Sequence, residues 1–347
     1  MKRILLGIMV LVFCFSFIGC NASDGEETPS ATPSATPTAT IALTPTPELI
    51  PTPTIGPRSY TTGLAFDGDY KPVMVVIENS PQARPQTGLQ TADVVYEVPV
   101  EGSITRFVCV FSDNVPEGVM PVRSGRVSFL YIQQEWDAAF MHYGGSGSGI
   151  SGAPDYTFYG NALHADIKLD IDGLKGKWSD YYYRVDTADA PHNVMGNPLL
   201  VQHLYDYSPK PLGWLFDENA TYAGSDGTQV NLSMCSNDED FVSYTYDATQ
   251  DVYLRSMQGK AFNSAETNAQ VSVKNVIVQY STYKSVDEYK VWQMTGNGKA
   301  VFYIGGIRVE GTWEKASATD PTIYRDIDGN QIVLRPGNTW IHIHPES

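Results

Sequence analysis

The sequence is poor in basic residues, in cysteine and in long apolar runs, and each scarcity excludes a class of protein. Lysine and arginine together number 23 against 39 aspartates and glutamates, which gives a formal charge of −16. Phosphate contacts need a concentrated basic surface, so this balance argues against a nucleic-acid partner. It argues equally against a folded body held on anionic lipid by its own surface.

Cysteine is scarce as well. Of the 4 cysteines, Cys14 and Cys20 lie near the N-terminus, whereas Cys109 and Cys235 lie in strand-like runs further along. We expect Cys109 and Cys235 to be free thiols rather than a disulfide. Neither has the neighbouring histidine or cationic cluster that marks a nucleophilic thiol.

The one long apolar run begins the chain. Lys2 and Arg3 precede the apolar residues 4–18, and the segment ends in FIGC at 17–20. A charged start, a short apolar stretch and a small residue before the cut predict a secretory signal peptide over residues 1–19. The ending resembles a bacterial lipobox, which implies that Cys20 carries lipid, palmitate included. The alternative is an uncleaved membrane anchor. Either reading tethers the chain to the outer face of the cell membrane.

Residues 20–60 read as a linker rich in threonine and proline. Thr-Pro occurs six times between residues 28 and 53. Such a segment buries too little apolar area to offset its ordering entropy, and proline favours an extended chain. The folded body is then expected in two parts, residues 62–212 and residues 216–347.

Apolar patterns predict the fold class. Residues 72–78, 92–100, 105–111 and 138–143 read as strands, and helical spacing between 123 and 136 predicts a helix. Residues 216–347 hold further short strand patterns, separated by turn signals at 226–227, 296–298, 305–306 and 328–330. We predict an α+β or α/β fold: a mixed-sheet N-terminal domain with flanking helices and a smaller β-rich C-terminal domain.

Several motifs in the body resemble the YerB-type lipoprotein family, whose two halves are domains of unknown function. They are ARPQTG at 83–88, ADVVYE at 92–97, EGSITR at 101–106, PVRS at 121–124, HYGGS at 142–146, APHN at 190–193 and PGNTWI at 336–341. The resemblance implies a lipid-anchored envelope protein and supplies no established activity.

Arginines placed beside turn-forming residues are the strongest chemical signal. Arg123 and Arg126, three apart at the predicted helix start, would face one side and could hold an anion together with Ser124. Two interpretations stay open: the arginines line a ligand cleft, or they pair internally with Asp93, Glu97 and Glu101. The residues assigned to the cleft are Arg84, Gln86, Asp93, Glu97, Glu101, Arg106, Arg123, Ser124, Arg126, His142, Gly144, Gly145, Ser146, His192 and Asn193.

A glycine-rich loop and two histidines complete the candidate site. The loop at 144–149 follows a predicted strand and could offer backbone N–H groups to an anion. It lacks a nucleophile elbow and the lysine of a P-loop, so a serine hydrolase using Ser146 with His142 or His192 is a minor alternative. His164, Asp166, Asp170 and Asp172 lack calcium-loop spacing. We expect no essential metal and no cofactor.

Three functional hypotheses follow from these residues. The first is an envelope protein that binds an anionic or glycan cell-wall ligand without turning it over. The second is an envelope transferase or hydrolase acting on a pyrophosphate-linked glycan. Its arginine-bearing segment is similar in outline to the LytR-CpsA-Psr transferases, which implies that Arg106, Arg123 and Arg126 would hold the pyrophosphate. The third is a scaffold for other envelope proteins.

Overall fold

The computed structural model describes residues 56–147, 154–235 and 241–346. The predicted signal peptide, Cys20 and nearly all of the predicted linker lie outside the described residues. Within these ranges, no helix has both the length and the apolar character needed to cross a membrane. Cys109 is a buried free thiol.

Strands dominate the described chain. In chain order they are β1 Val73–Glu78, β2 Val94–Pro99, β3 Thr105–Phe111, β4 Ala139–His142, β5 Asp170–Asp172, β6 Tyr182–Arg184, β7 Val194–Gly196, β8 Leu215–Phe216, β9 Ser225–Asp226, β10 Gln229–Ser233, β11 Phe241–Asp247, β12 Val252–Met257, β13 Lys260–Ala261, β14 Ser272–Val273, β15 Asn275–Ser281, β16 Tyr283–Val286, β17 Tyr289–Trp292, β18 Gly296–Ile304, β19 Ile307–Lys315, β20 Ile323–Asp326, β21 Val333–Leu334 and β22 Thr339–Pro345. The α-helices are α1 Val127–Trp136, α2 Ala162–Ala165 and α3 Pro198–Gln202. The predicted α+β class is confirmed.

A large mixed sheet runs through both halves of the described chain. Its strand order is β20-β19-β18-β15-β22-β2-β3-β1-β4-β5, and β9 pairs with β19. The halves join where β2 lies parallel to β22, with Glu97 opposite His342. Strands β10 to β14 form a second, smaller sheet. The division at residues 62–212 and 216–347 stays a prediction, but the two parts share this sheet.

Strand β1 shows why the sheet is buried on both faces. All six of its residues are buried, as expected for a near-continuous apolar run. Because side chains alternate along a strand, Val73, Val75 and Ile77 pack into one core cluster with residues of the smaller sheet. Met74 and Val76 pack into the other cluster, with Phe129 and Trp136 of α1. Val201 of α3 belongs to the first cluster as well, so the first face is covered by α3 and the smaller sheet and the second largely by α1.

Helix α1 begins later than the arginine pattern suggested. Arg126 has extended backbone angles and immediately precedes Val127, and the helix ends at Asp137, whose φ is 47°. The prediction that Arg123 and Arg126 share a helical face is therefore wrong, because both lie in the extended segment before the helix. They diverge to different partners, described below.

Two glycine turn signals had opposite outcomes. Gly305 and Gly306 have φ of 59° and 79° and close the hairpin between β18 and β19, as predicted. The turn predicted at 296–298 is wrong, since these residues begin β18. A Cβ on Gly298 would lie 2.6 Å from Nε1 of Trp313, so this glycine makes room for a buried indole within a strand.

Candidate functional site

A surface pocket of about 510 Å³ collects two of the predicted site residues. Arg84 and His192 line it, together with Thr87, Thr187 and Asp189. Ala265, from the C-terminal half of the chain, completes the rim. The pocket thus lies where the loop after β1, the loop before β7 and a loop of the smaller sheet meet.

Glu78, the last residue of β1, is the carboxylate beneath this pocket. It is buried, and its Oε2 accepts a hydrogen bond from Nδ1 of His192 at 2.8 Å. The same oxygen lies 3.0 Å from Nε of Arg123. A buried carboxylate is stable when it is paired and hydrogen-bonded, and here it fixes both the imidazole and the guanidinium. Arg123 therefore supports the pocket from beneath.

Asn79 and Gln86 hold the wall that carries Arg84. Nε of Arg84 donates to Oδ1 of Asn79 at 3.1 Å, and Nη2 donates to its backbone oxygen at 2.6 Å. The amide nitrogen of Gln86 donates to the backbone oxygen of Glu78 at 2.9 Å. These bonds orient the Arg84 guanidinium at the pocket. Gln86 is itself buried and supports this wall without lining the pocket.

A second cluster contains Arg106, Arg126 and Glu101, which pair with one another instead of lining a cleft. Nε of Arg126 donates to Oε2 of Glu101 at 2.9 Å, and Nη2 of Arg106 lies 3.4 Å from Oε1 of the same carboxylate. Nη1 of Arg106 donates to the carbonyl of Ser124 at 2.7 Å. Burial would raise the pKa of Glu101, but Arg126 and Arg106 lower it overall. For these residues the internal-pairing interpretation describes the structure.

Glu97 and Asp93 are placed apart from these arginines. Glu97 pairs with Arg255 of β12, Nη2 to Oε2 at 3.0 Å, and neither side chain is exposed. Burial would raise the pKa of Glu97, but Arg255 and His342 lower it to about 2. Asp93 Oδ2 instead accepts bonds from the hydroxyl of Thr61 and the backbone N–H groups of Ser112 and Asp113. Burial and the Asp113 carboxylate raise the pKa of Asp93.

In the described part of the glycine-rich loop, the backbone N–H groups of Gly144 and Ser146 donate to other groups of the protein. Gly144 N–H donates to Oδ1 of Asp172 at 3.0 Å, and Ser146 N–H donates to the Gly125 carbonyl at 3.2 Å. Gly145 lies against Phe158, which a Cβ would approach to 2.2 Å. The backbone N–H groups of Gly144 and Ser146 hold the loop to its neighbours and are not available for the anion contacts that the sequence allowed here. Residues 148–149 lie outside the described residues.

His142, the last residue of β4, lies in a separate group with Asp170, the first residue of β5. Its Nε2 is 2.7 Å from Oδ1 of Asp170, and its Nδ1 is 2.8 Å from the Gly144 carbonyl. His164 Nε2 lies 3.4 Å from Oδ2 of the same carboxylate. These three side chains present ligand atoms within 4.8 Å of one another.

Asn193 supports the loop beside the pocket. Its Oδ1 accepts a bond from Arg184 at 2.6 Å, and its amide donates to the Val185 carbonyl at 3.3 Å. These bonds hold residues 184–193 together as a loop that carries His192. Asn193 therefore supports the rim without lining the pocket.

Sequence reasoning missed Glu78, Asn79 and Arg255. A glutamate ending an otherwise apolar strand was a readable signal, because such a charge must find partners. Arg255 gave no such signal, since its partner Glu97 lies 158 residues away along the chain.

Comparison with known proteins gives a consistent result across the body. The profile of the family described as "Protein of unknown function (DUF3048) N-terminal domain" matches residues 61–210, and that of the corresponding C-terminal domain matches residues 230–341. "Putative lipoprotein YerB" of Bacillus subtilis (strain 168) is 30% identical over 297 residues, which is 80% of this chain and 82% of that protein. The crystal structure of the YerB protein from Bacillus subtilis matches with a TM-score of 0.70 and 28% identity, over 83% of this chain and 97% of that one.

Proposed function

We propose that this chain, which belongs to the YerB-like family of DUF3048 lipoproteins, binds an anionic ligand of the cell envelope between Arg84 and His192. The ligand class is a phosphate- or carboxylate-bearing component of the cell wall, with a glycan attached. Lipid on Cys20, cleavage of residues 1–19 and the outer face of the membrane belong to the same proposal.

The pocket is the observation that carries it. A volume of about 510 Å³ falls in the range of small-molecule sites. The rim combines a guanidinium, an imidazole and two threonine hydroxyls with one carboxylate, that of Asp189. The guanidinium and the hydroxyls can donate hydrogen bonds to an anion, and the imidazole presents Nε2, because its Nδ1 contacts Glu78. Arg106 and Arg126 do not line this pocket, and both pair with the single carboxylate of Glu101.

Isothermal titration of the full-length chain in detergent tests the proposal. The probes are inorganic pyrophosphate and an uncharged cell-wall disaccharide, which separate the anionic contribution from the glycan contribution. We expect saturable pyrophosphate binding that weakens at least about tenfold in Arg84→Gln, since a charge-assisted bond contributes about 1.5–3 kcal/mol.

The matched control is Arg325→Gln. Arg325 is partly exposed and pairs with Glu314 at 3.0 Å, and the residue lies outside the pocket lining. It should leave pyrophosphate affinity unchanged. Equal loss in both variants, or no pyrophosphate binding by the unsubstituted chain, would refute an anion site at Arg84.

A second candidate function, turnover of a pyrophosphate-linked glycan, is favoured by the contact between Glu78 and His192. A carboxylate bonded to Nδ1 orients an imidazole and stabilises its protonated form, which is the arrangement of a general base. Incubation of lipid-linked wall precursors with the full-length chain would reveal product. We expect His192→Gln to abolish turnover but to weaken pyrophosphate binding only partly, because Arg84 remains in the pocket. Absence of product from the unsubstituted chain contradicts this second function.

A further inference from the structure

Two imidazoles converge on one carboxylate where β4 ends and β5 begins, away from the Arg84 pocket. His142 has no exposed surface, and the side chains of His164 and Asp170 are 12% and 17% exposed. The three come from β4, from α2 and from β5. His142 is the last residue of β4 and Asp170 is the first of β5. In the parallel pair His142 lies opposite Asp172, and because alternate residues of a strand share a face, Asp170 lies on the same face as His142.

The hydrogen bonds of His142 point to a positive charge between the rings and the carboxylate. The Gly144 carbonyl can only accept, so Nδ1 of His142 carries a proton. In a neutral imidazole, Nε2 would then direct its lone pair at Oδ1 of Asp170, 2.7 Å away. Two acceptors at that distance repel unless a cation lies between them. Either a second proton or a metal ion supplies it.

His164 favours the metal ion. Its Nε2 is buried, and within the described residues it has no hydrogen-bond partner of good geometry. It nevertheless lies 3.4 Å from Oδ2 of Asp170. A second proton on His142 would leave this nitrogen unexplained, whereas a shared ion would use both imidazoles and the carboxylate.

We propose that His142, His164 and Asp170 bind a divalent transition-metal ion, with zinc as the best fit. Two imidazole nitrogens and one carboxylate oxygen, with a further position open, are a common zinc ligand set. Zinc bonds of about 2.0–2.2 Å place ligand atoms roughly 3–4 Å apart. The atoms here lie within 4.8 Å of one another, and Nε2 of His142 and Oδ1 of Asp170 are 2.7 Å apart. To bind the ion, these two atoms separate by a few tenths of an ångström and His164 rotates towards them.

The surrounding contacts match those of an orienting shell. The bond from Nδ1 of His142 to a backbone carbonyl is typical of metal-binding histidines. Phe158 packs against both rings, at 4.9 Å from His142 and 4.8 Å from His164 between centroids. Lys175 places Nζ 2.8 Å from Oδ2 of Asp170, and its side chain is 41% exposed. This lysine competes with the ion and can swing into solvent.

The expectation of no essential metal rested on the linear spacing of His164 with the aspartates after it and did not include His142 as a ligand. The test is zinc affinity of the full-length chain, stripped with chelator and measured by competition with a chromophoric chelator. We expect one bound zinc ion, with affinity reduced at least about tenfold in His164→Gln and in Asp170→Asn. His203→Gln, at an exposed histidine outside the cluster, should match the unsubstituted chain.

Lys175→Ala keeps the test decisive if the ligand variants fail to fold. Removing the competing ammonium should tighten zinc binding about two- to fivefold, and a surface histidine elsewhere would not respond to it. Lack of stoichiometric zinc binding by the unsubstituted chain would overturn the proposal. So would zinc affinity that stays within twofold across His164→Gln, Asp170→Asn and Lys175→Ala.

Discussion

The ion pair between Glu97 and Arg255 ties the two halves of the body together, and breaking it should be costly. Both side chains are fully buried, with 3.0 Å between Nη2 and Oε2. Arg255→Met puts an apolar side chain in place of a guanidinium that lies among the rings of Phe107, Phe262 and Trp340. It leaves the Glu97 carboxylate buried without its cation.

The burial of both partners sets the magnitude of this loss. Removing one partner of a buried pair typically costs about 3–5 kcal/mol of unfolding free energy. The pKa of Glu97 is lowered from 4.5 to about 2 although burial would raise it, because Arg255 and His342 stabilise the charged carboxylate. A domain with a total stability of about 5–15 kcal/mol would show this clearly.

Urea unfolding at pH 7, followed by tryptophan fluorescence, measures the effect. We expect Arg255→Met to lose about 3–5 kcal/mol. The double variant Glu97→Gln with Arg255→Met should recover part of that loss, because no unpaired charge remains buried. A loss below about 1 kcal/mol in the single variant, or a double variant less stable than either single one, would refute the reasoning.

Three further outcomes are expected. The folded-state pKa of Glu97 lies below its ordinary value of 4.5, so the stability that the Glu97 carboxylate contributes is complete above pH 4.5 and is lost as the pH falls towards 2. Glu97→Gln should therefore flatten the fall in the urea midpoint between pH 5 and pH 3. An unchanged slope would contradict this. Lys315→Met should cost about 3–5 kcal/mol because Lys315 and Glu135 pair at 2.7 Å with both side chains buried; the exposed Lys299, 3.8 Å from Glu310, is the control, and Lys299→Met should cost under about 1 kcal/mol. Gly306→Ala should lower the melting temperature more than Gly329→Ala, because both have positive φ but only Gly306 would place a Cβ 2.8 Å from Tyr246; equal losses would mean that backbone strain alone acts.

Local patterns predicted the first half of the fold well. The apolar runs became β1, β2, β3 and β4 with shifts of at most two residues at an end, because burial on both faces leaves a continuous apolar signature. Helix α1 was also recognised from its spacing, although its first turn was placed too early. The extended segment at Arg123 and Arg126 looked like a helix start because nothing local marks the ion pairs that hold it open.

Partners in the site could not be read from sequence, because long-range pairing decides them. Glu97 was expected to meet arginines of its own half, yet the parallel pairing of β2 with β22 brings it to His342 and Arg255. The sequence pattern predicted only that Glu78 ends an apolar strand. In the structure its carboxylate contacts His192 and Arg123. His142 joins Asp170 only because β4 and β5 are neighbours.

The imidazole of His192 gives the most direct test of anion binding in the Arg84 pocket. We would label the full-length chain with ¹⁵N-histidine and follow the ring signals during titration with pyrophosphate. The His192 signals should shift and saturate, those of His203 should stay in place, and the His192 shift should be lost in Arg84→Gln. His192 signals that do not respond, or that respond equally in Arg84→Gln, would contradict the proposed site.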